Sequence, residues 1–192
     1  MPESAELPTT QSVDQVADRT PSDPISKLAR ELTRLQHHDR GTLARLRRTD
    51  PLRDGRDSIF ETERVLRAAG IAVTGNRRER WALVLHCLAI AQGRHSARAD
   101  AKPGQVFAQL RFSEARVKQI VQADWRVLCD LMPRIARRLA AAGETVNWWP
   151  LATLLLYADD PEAECVAAAD AARREIVAGY LSAGNDGEAS ND

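Results

Sequence analysis

The apolar residues of this chain recur at the spacing of α-helices. Leucines and isoleucines follow one another every three or four positions from Ile25 to Leu35, an interval that places their side chains on one helical face. Asp23-Pro24 has the form of an N-cap followed by proline at the first helical position. The pattern therefore predicts a first helix that begins at Pro24.

Capping and turn residues divide the following segment into short helices. Asp39 can cap a helix that ends at the Thr49-Asp50-Pro51 break, because the residue before a proline is disfavoured in helices. Apolar residues between Ile59 and Leu66, among them Phe60, mark a third helix that ends near Gly70.

Two segments are apolar on every side, which is typical of buried helices rather than amphipathic surface helices. The first is "WALVLHCLAIA" at residues 81–91, which Gly93 ends, and the second covers residues 147–158. We expect the tryptophans of these segments to pack in the core: Trp81, Trp148 and Trp149.

The region between these two helices is basic. Residues 94–104 lack apolar periodicity and predict a mobile connection. Apolar residues from Val117 to Leu139 then mark one long helix or two consecutive helices, with Asp124 or Pro133 as the interruption.

These elements predict an all-α fold, a compact bundle of about seven to nine helices with one core or with two small lobes sharing a core. Only 5 % of residues are aromatic, a composition that favours helices over sheets. We expect a disordered acidic lead at residues 1–23, a helical domain at 24–182 and a flexible acidic tail at 183–192. The last helix, after Asp160-Pro161, should fade near Gly184.

The charges are distributed unevenly, although the formal net charge is zero. Residues 27–138 contain 24 Lys and Arg against 12 Asp and Glu, a net charge of +12, and the rest of the chain carries −12. A concentrated basic surface indicates a polyanionic partner, and the guanidinium group suits bidentate contact with phosphate. In a helix through Leu128 and Leu139, Arg134 and Arg137 point away from the apolar face and Arg138 lies near its border.

The sequence offers little support for catalysis or for a bound cofactor. His37-His38-Asp39 resembles the start of metal-dependent phosphohydrolase sites of the HD type, but no second cluster completes a metal shell, so an inter-helix turn is favoured. His86 and Cys87 are adjacent in a helix and cannot face each other, so we expect a core histidine. Phosphate-loop, dinucleotide and esterase motifs are absent from the sequence. We predict no catalytic residue, no metal and no cofactor.

The remaining signals concern location and the mode of binding. Three widely spaced cysteines, no signal-peptide pattern and no apolar run long enough for a bilayer predict a soluble cytoplasmic protein without a membrane partner. The basic segments contain few aromatic residues, which favours neutralisation of the nucleic-acid backbone over base reading.

The order of these features resembles one known family. An apolar helix "ALVLHCLAIAQG" leads into a basic loop, followed by "FAQLRFSEARVKQIVQADWRVLCDLMPRIARRL" and "VNWWPLATLLLY". This arrangement is similar to the CasB family, the small subunit of the type I-E CRISPR Cascade complex, and it covers most of Pro24 to Tyr180. The chain departs from the family pattern in Asn147 before Trp148, in the extra Trp149 and in Pro133 within the basic helix.

The resemblance implies a non-catalytic subunit that is present as a pair in Cascade and contacts its backbone and large subunits, the crRNA and the target DNA. The displaced non-target strand would follow its basic face and the R-loop would be stabilised. The implied nucleic-acid-binding residues are Arg45, Arg47, Arg48, Arg94, Arg98, Arg111, Arg116, Arg126, Arg134, Arg137 and Arg138.

Two other interpretations of the basic helices remain open at the level of sequence. Residues 106–139 contain paired helices with a basic second member, as in a helix-turn-helix DNA-binding regulator. The arginines could also bind acidic surfaces of a protein partner, in which case the chain would be an adaptor that binds no DNA.

Overall fold

The computed structural model describes residues 23–73, 75 and 77–188. Within this part of the chain nine α-helices form one bundle, which confirms the predicted all-α fold. The helices are α1 (Pro24–His38), α2 (Arg40–Arg48), α3 (Ile59–Ala68), α4 (Arg77–Ile90), α5 (Pro103–Gln109), α6 (Glu114–Gln122), α7 (Trp125–Ala142), α8 (Trp148–Tyr157) and α9 (Ala163–Glu188). Short 3₁₀ turns precede α3 at Gly55–Ser58 and α5 at Ala99–Ala101.

Side-chain caps begin the first two helices as predicted. The Asp23 carboxylate accepts a hydrogen bond from the backbone N–H of Ser26 at 2.8 Å, and Asp39 accepts one from Thr42 at 2.9 Å. Each bond satisfies a backbone donor that has no partner within its own helix. Capping is local chemistry, so the sequence is sufficient to locate these starts.

The basic region between Ser113 and Ala142 is two helices, and Asp124 is the interruption. Its carboxylate accepts a hydrogen bond from the N–H of Val127 at 2.8 Å and begins α7. Pro133 lies inside α7 without ending it. The apolar face of α7, from Leu128 to Leu139, is buried on both sides of the proline, so packing offsets the lost hydrogen bond.

The two apolar helices, α4 and α8, lie at the centre of the bundle as predicted. Helix α4 packs against α2, α7 and α8, and α8 also packs against α9. The buried side chains form one continuous cluster from Ile25 to Ile176. Of the tryptophans expected in the core, Trp148 is 1 % exposed and its indole N–H donates to the carbonyl of Arg94 at 3.1 Å.

The other two tryptophans differ from that expectation. Trp81 is partly buried against the core, whereas Trp149 is 40 % exposed and the prediction for it was wrong. Adjacent residues of a helix point about 100° apart. Burial of Trp148 at the first turn of α8 therefore leaves Trp149 facing outward.

The C-terminal helix extends further than the prediction, whereas the first helix begins at Pro24 as predicted. Residues 1–22 of the predicted disordered lead lie outside the described residues, as do residues 189–192 of the predicted tail. Helix α9 continues to Glu188 rather than fading near Gly184. Gly184 does not adopt the left-handed conformation that commonly ends a helix, and no proline follows it.

Helices α5 and α9 approach each other closely through Gly104. A Cβ atom added there would overlap the backbone of Ile176 and Tyr180. We predict that Gly104→Ala lowers the free energy of unfolding by about 1–3 kcal/mol, the usual cost of overpacking. Gly184→Ala, which has open space around it, should raise it slightly because alanine favours helices. Urea denaturation measures both, and a Gly104→Ala protein as stable as wild type would contradict this packing.

Buried His86 makes stability depend on pH. Its Nδ1 lies 2.8 Å from the carbonyl oxygen of Leu46, and burial lowers its pKa below the usual value of 6.5. Because the unfolded chain takes up this proton first, stability should fall as the pH decreases below about 6.5. We predict that His86→Gln loses less stability than wild type as the pH decreases. The exposed control His38→Gln should lose as much stability as wild type, and chemical denaturation at pH 5–7 measures both. Partly buried His95, whose pKa is also lowered by burial, should still contribute part of the pH dependence in the His86→Gln protein.

Candidate nucleic-acid interface

Most of the predicted arginines carry charges without a local partner. Of the predicted arginines, only Arg45 forms an ion pair with a residue in the described part of the chain: its Nε lies 2.8 Å from an oxygen of Glu61. Other arginines of the chain, such as Arg77 and Arg78, do pair with carboxylates. The predicted set therefore leaves positive charge that surrounding acids do not neutralise at contact distance, as a surface for an anionic partner requires.

Helices α2 and α7 bring a first group together, the α2–α7 arginines: Arg47, Arg48 and Arg137. Leu43 and Leu46 bury one face of α2, which leaves Arg47 and Arg48 exposed on the other. With Ala44 and Ile90, the three arginines line a surface hollow of about 460 Å³. Residues 90 positions apart in the sequence thus share one basic depression.

Arg40 extends this group, and sequence analysis missed it. A second hollow of about 490 Å³ shares Arg47 with the first and is also lined by Arg40. Arg40 precedes Arg47 by seven residues, a spacing that places both on one helical face. That spacing was the signal in the sequence that could have identified Arg40.

A second group, the Phe112 arginines, surrounds the turn between α5 and α6: Arg111, Arg116 and Arg138. The guanidinium carbon of Arg138 lies 4.4 Å from the centre of the Phe112 ring, and that of Arg116 lies 5.8 Å from it. Arg138 also donates from Nη2 to the carbonyl of Leu110 at 2.6 Å. Two guanidinium groups from α6 and α7 therefore lie against one buried aromatic ring, and Arg111 precedes that ring in the chain and lines a hollow with it.

Helix α7 connects the two groups. Arg137 belongs to one and Arg138 to the other, and exposed Arg134 lies one turn before both. The prediction that Arg134 and Arg137 point away from the apolar face is confirmed, since both are exposed. Arg138, predicted near the border of that face, is exposed and contacts the buried Phe112 ring. Exposed Arg126 lies at the start of the same helix. The outer face of α7 is thus basic in its C-terminal half, and in its N-terminal half Arg126 lies beside the exposed carboxylate of Asp130.

The structure does not bring the remaining candidates into either group. Arg94 is half-buried beside Gly143, the C-cap of α7, where a cation stabilises the negative end of the helix dipole. Arg98 is exposed in the connection before α5, and Arg45 is engaged with Glu61.

The connection that carries Arg94 and Arg98 is held by several hydrogen bonds. His95 Nε2 lies 3.0 Å from the Ser26 hydroxyl, and His95 Nδ1 accepts from the N–H of Trp148 at 3.1 Å. The N–H of Asn147 donates to the carbonyl of Ala101 at 2.6 Å. These bonds tie the basic connection to α1 and α8.

The segment His37-His38-Asp39 is a turn between α1 and α2. Besides capping α2, the Asp39 carboxylate accepts from the Thr42 hydroxyl at 2.7 Å and lies 3.5 Å from Arg64. The hydrogen bonds from Thr42 lower the pKa of Asp39. Its oxygens therefore serve the start of a helix, as the turn interpretation predicted.

One cluster of possible metal ligands occurs in the described part of the chain: Asp160, Glu162 and Cys165. The guanidinium of Arg77 lies among them, with Nη2 3.7 Å from Asp160, 3.4 Å from Glu162 and 3.5 Å from the sulfur of Cys165. This cation pairs with both carboxylates, so their proximity to Cys165 is accounted for by an ion-pair network.

The other cysteines lack the properties of nucleophiles. Burial raises the pKa of Cys87 and raises that of Cys129 to about 11. Both thiols are therefore protonated at neutral pH, whereas the thiolate is the reactive form. His86, next to Cys87, is buried and contacts the carbonyl of Leu46, which confirms the core-histidine prediction.

The start of α3 is an exposed apolar part of the surface. Phe60 is 86 % exposed and Ile59 is also exposed, so the start of α3 presents apolar side chains to the outside. Sequence analysis had counted both among the apolar residues that mark this helix. Neither lines the hollows of the two arginine groups.

In the described residues, no helix combines the length and the apolar character needed to cross a membrane.

Comparison with known proteins gives one family. The model of the family described as CRISPR-associated protein Cse2 matches residues 42–180, which span both arginine groups and most of the core. No curated protein and no solved structure matches the chain. The matched segment covers well over half of the sequence. The chain therefore belongs to the Cse2, or CasB, family, whose members are small subunits of the type I-E CRISPR Cascade complex.

Proposed function

We propose that this protein is a non-catalytic Cascade subunit that binds the phosphate backbone of the displaced non-target strand and thereby stabilises the R-loop. It would act in the cytoplasm as one of a pair, in contact with the backbone and large subunits, the crRNA and the target DNA. The observation that carries the proposal is the basic outer face of α7, which connects the α2–α7 arginines to the Phe112 arginines.

The energetics of an R-loop explain why such contacts would matter. In RNA-guided systems, the guide–target duplex is about as stable as the DNA duplex that it replaces. Modest contacts with the displaced strand can therefore shift the balance. Each arginine that binds a phosphate releases condensed counterions, so the contribution should depend strongly on salt.

Phosphate is favoured over bases as the target of these arginines. Guanidinium groups bind phosphate oxygens without regard to sequence. Phe112 is 3 % exposed, so its ring is covered and unavailable for stacking on a base. We therefore expect weak sequence preference.

The alternative is a helix-turn-helix regulator built on α6 and α7, which are joined at Ala123 and Asp124. Recognition helices read bases mainly with their N-terminal residues. In α7 three arginines lie in the C-terminal half, whereas Arg126 and Asp130 occupy the N-terminal half. This distribution favours backbone contact, and a specific operator sequence would support the regulator instead.

Assembly is the first test of the proposal. Co-expressed with its neighbouring genes, the tagged chain should co-purify with an assembly that contains crRNA. Size-exclusion chromatography followed by RNA extraction measures this. A crRNA-bearing complex that forms completely while the chain elutes alone would contradict the proposal.

Charge reversal on α7 is the second test. We predict that Arg134→Glu with Arg137→Glu leaves the fold intact, because both side chains are exposed, but accelerates loss of target DNA from the assembled complex. The slope of log affinity against log salt should become shallower by about 0.7–0.9 for each lost phosphate contact.

A matched control separates position from net charge. Arg30→Glu with Arg174→Glu changes the net charge equally at exposed positions on α1 and α9. These residues belong to neither arginine group, so DNA retention should stay near wild type. Equal losses in both double variants would show that total charge rather than the α7 face determines retention.

A further inference from the structure

Arg111 has a backbone conformation that normally selects glycine. Its φ is +54°, in the left-handed region where a Cβ atom is disfavoured. The residue follows the end of α5, where its N–H donates to the carbonyl of Ala108 and the N–H of Phe112 donates to Phe107, both at 2.9 Å. This pair of bonds defines a Schellman helix end.

The same chain shows the usual solution at two other helix ends. After α3, Gly70 has a φ of +73°, and the N–H groups of Gly70 and Ile71 bond back to Arg67 and Leu66. After α7, Gly143 repeats the pattern with a φ of +74°. Glycine would therefore fit at position 111 with less strain than arginine. Non-glycine residues do adopt this conformation at two other places in the described chain, at Gln92 after α4 with a φ of +57° and at Asp159 after α8 with a φ of +58°. Arg111 differs from them because it precedes Phe112, whose ring two further guanidinium groups contact.

Arg111 lies at the edge of a hollow whose walls are held by aromatic packing and a hydrogen bond. The Phe107 and Phe112 rings stack with their centres 4.8 Å apart, and the Tyr180 hydroxyl donates to the carbonyl of Phe112 at 2.6 Å. These contacts fix the turn and with it the backbone that carries Arg111. Arg111, Phe112 and Tyr180 line a hollow of about 500 Å³, at a turn that Arg116 and Arg138 flank.

We propose that Arg111, together with Arg116 and Arg138, forms a pre-ordered binding site for a phosphodiester group, and that Arg111 retains its strained backbone because its guanidinium binds there. The inference rests on the proposed function and assigns one phosphate of the bound strand to the turn between α5 and α6. Arg138, held by the Leu110 carbonyl and the Phe112 ring, supplies a fixed donor. Arg111 and Arg116 supply the exposed charges.

Two substitutions separate strain from charge. Arg111→Gly removes both, so the purified subunit should unfold at a Tm higher by roughly 2–4 °C, whereas the assembled complex should release target DNA faster. Arg111→Gln removes only the charge, so its Tm should stay near wild type while DNA is released equally fast. In both variants the salt slope should fall by about 0.7–0.9. Arg111→Lys keeps charge and strain and should keep most of the retention.

Each contrary result has a distinct meaning. Both charge-removing variants of Arg111 could retain DNA and keep the wild-type salt slope, while the double variant Arg134→Glu with Arg137→Glu loses its DNA. In that case the site at Arg111 is wrong and the proposed function stands. If neither position affects retention, the proposed function itself fails. A lower Tm for Arg111→Gly would show that arginine is not retained against strain, which also overturns the inference.

Discussion

The packing of α7 against the buried helix α4 is the constraint on which the rest of this structure depends. Leucine, isoleucine and methionine side chains bury one face of α7 along its whole length, and that burial carries the helix through Pro133. Since one face is fixed in the core, helical geometry leaves Arg134, Arg137 and Arg138 outside. The same hydrophobic contact that stabilises the bundle therefore orders the basic surface.

Tertiary packing then determines which charges become neighbours. Helix α2 packs on α4 and places Arg47 and Arg48 beside Arg137, and the turn after α5 places Phe112 beneath Arg138. Acidic residues near other arginines form ion pairs, as Glu61 does with Arg45. A formal net charge of zero is thus compatible with a basic face, because the compensating carboxylates lie elsewhere in the sequence.

The sequence was sufficient where the controlling interactions are local. Asp23 and Asp39 cap helices through residues three positions away, and α4 and α8 are apolar enough to be central in any compact fold. It left open whether Asp124 or Pro133 interrupts the basic helix, because that choice depends on burial along α7.

The candidate site was predictable only in part for the same reason. Helical geometry alone indicated that Arg134 and Arg137 face outward. The pairing of Arg45 with Glu61, the position of Arg94 beside Gly143 and the meeting of Arg47 with Arg137 depend on contacts between distant segments. No local pattern encodes those contacts, and the positive φ of Arg111 likewise became visible only in the fold.

The most direct measurement compares the stability of R-loops in complexes with and without this subunit, using displaced strands of altered chemistry. Neutral methylphosphonate linkages remove the phosphate charge and leave the bases unchanged, whereas scrambling the bases leaves the charge unchanged. If the arginine surface binds the backbone, the stabilisation due to the subunit disappears on the neutral strand and persists on the scrambled strand. Stabilisation that survives on the neutral strand, or is lost on the scrambled strand, would contradict backbone binding.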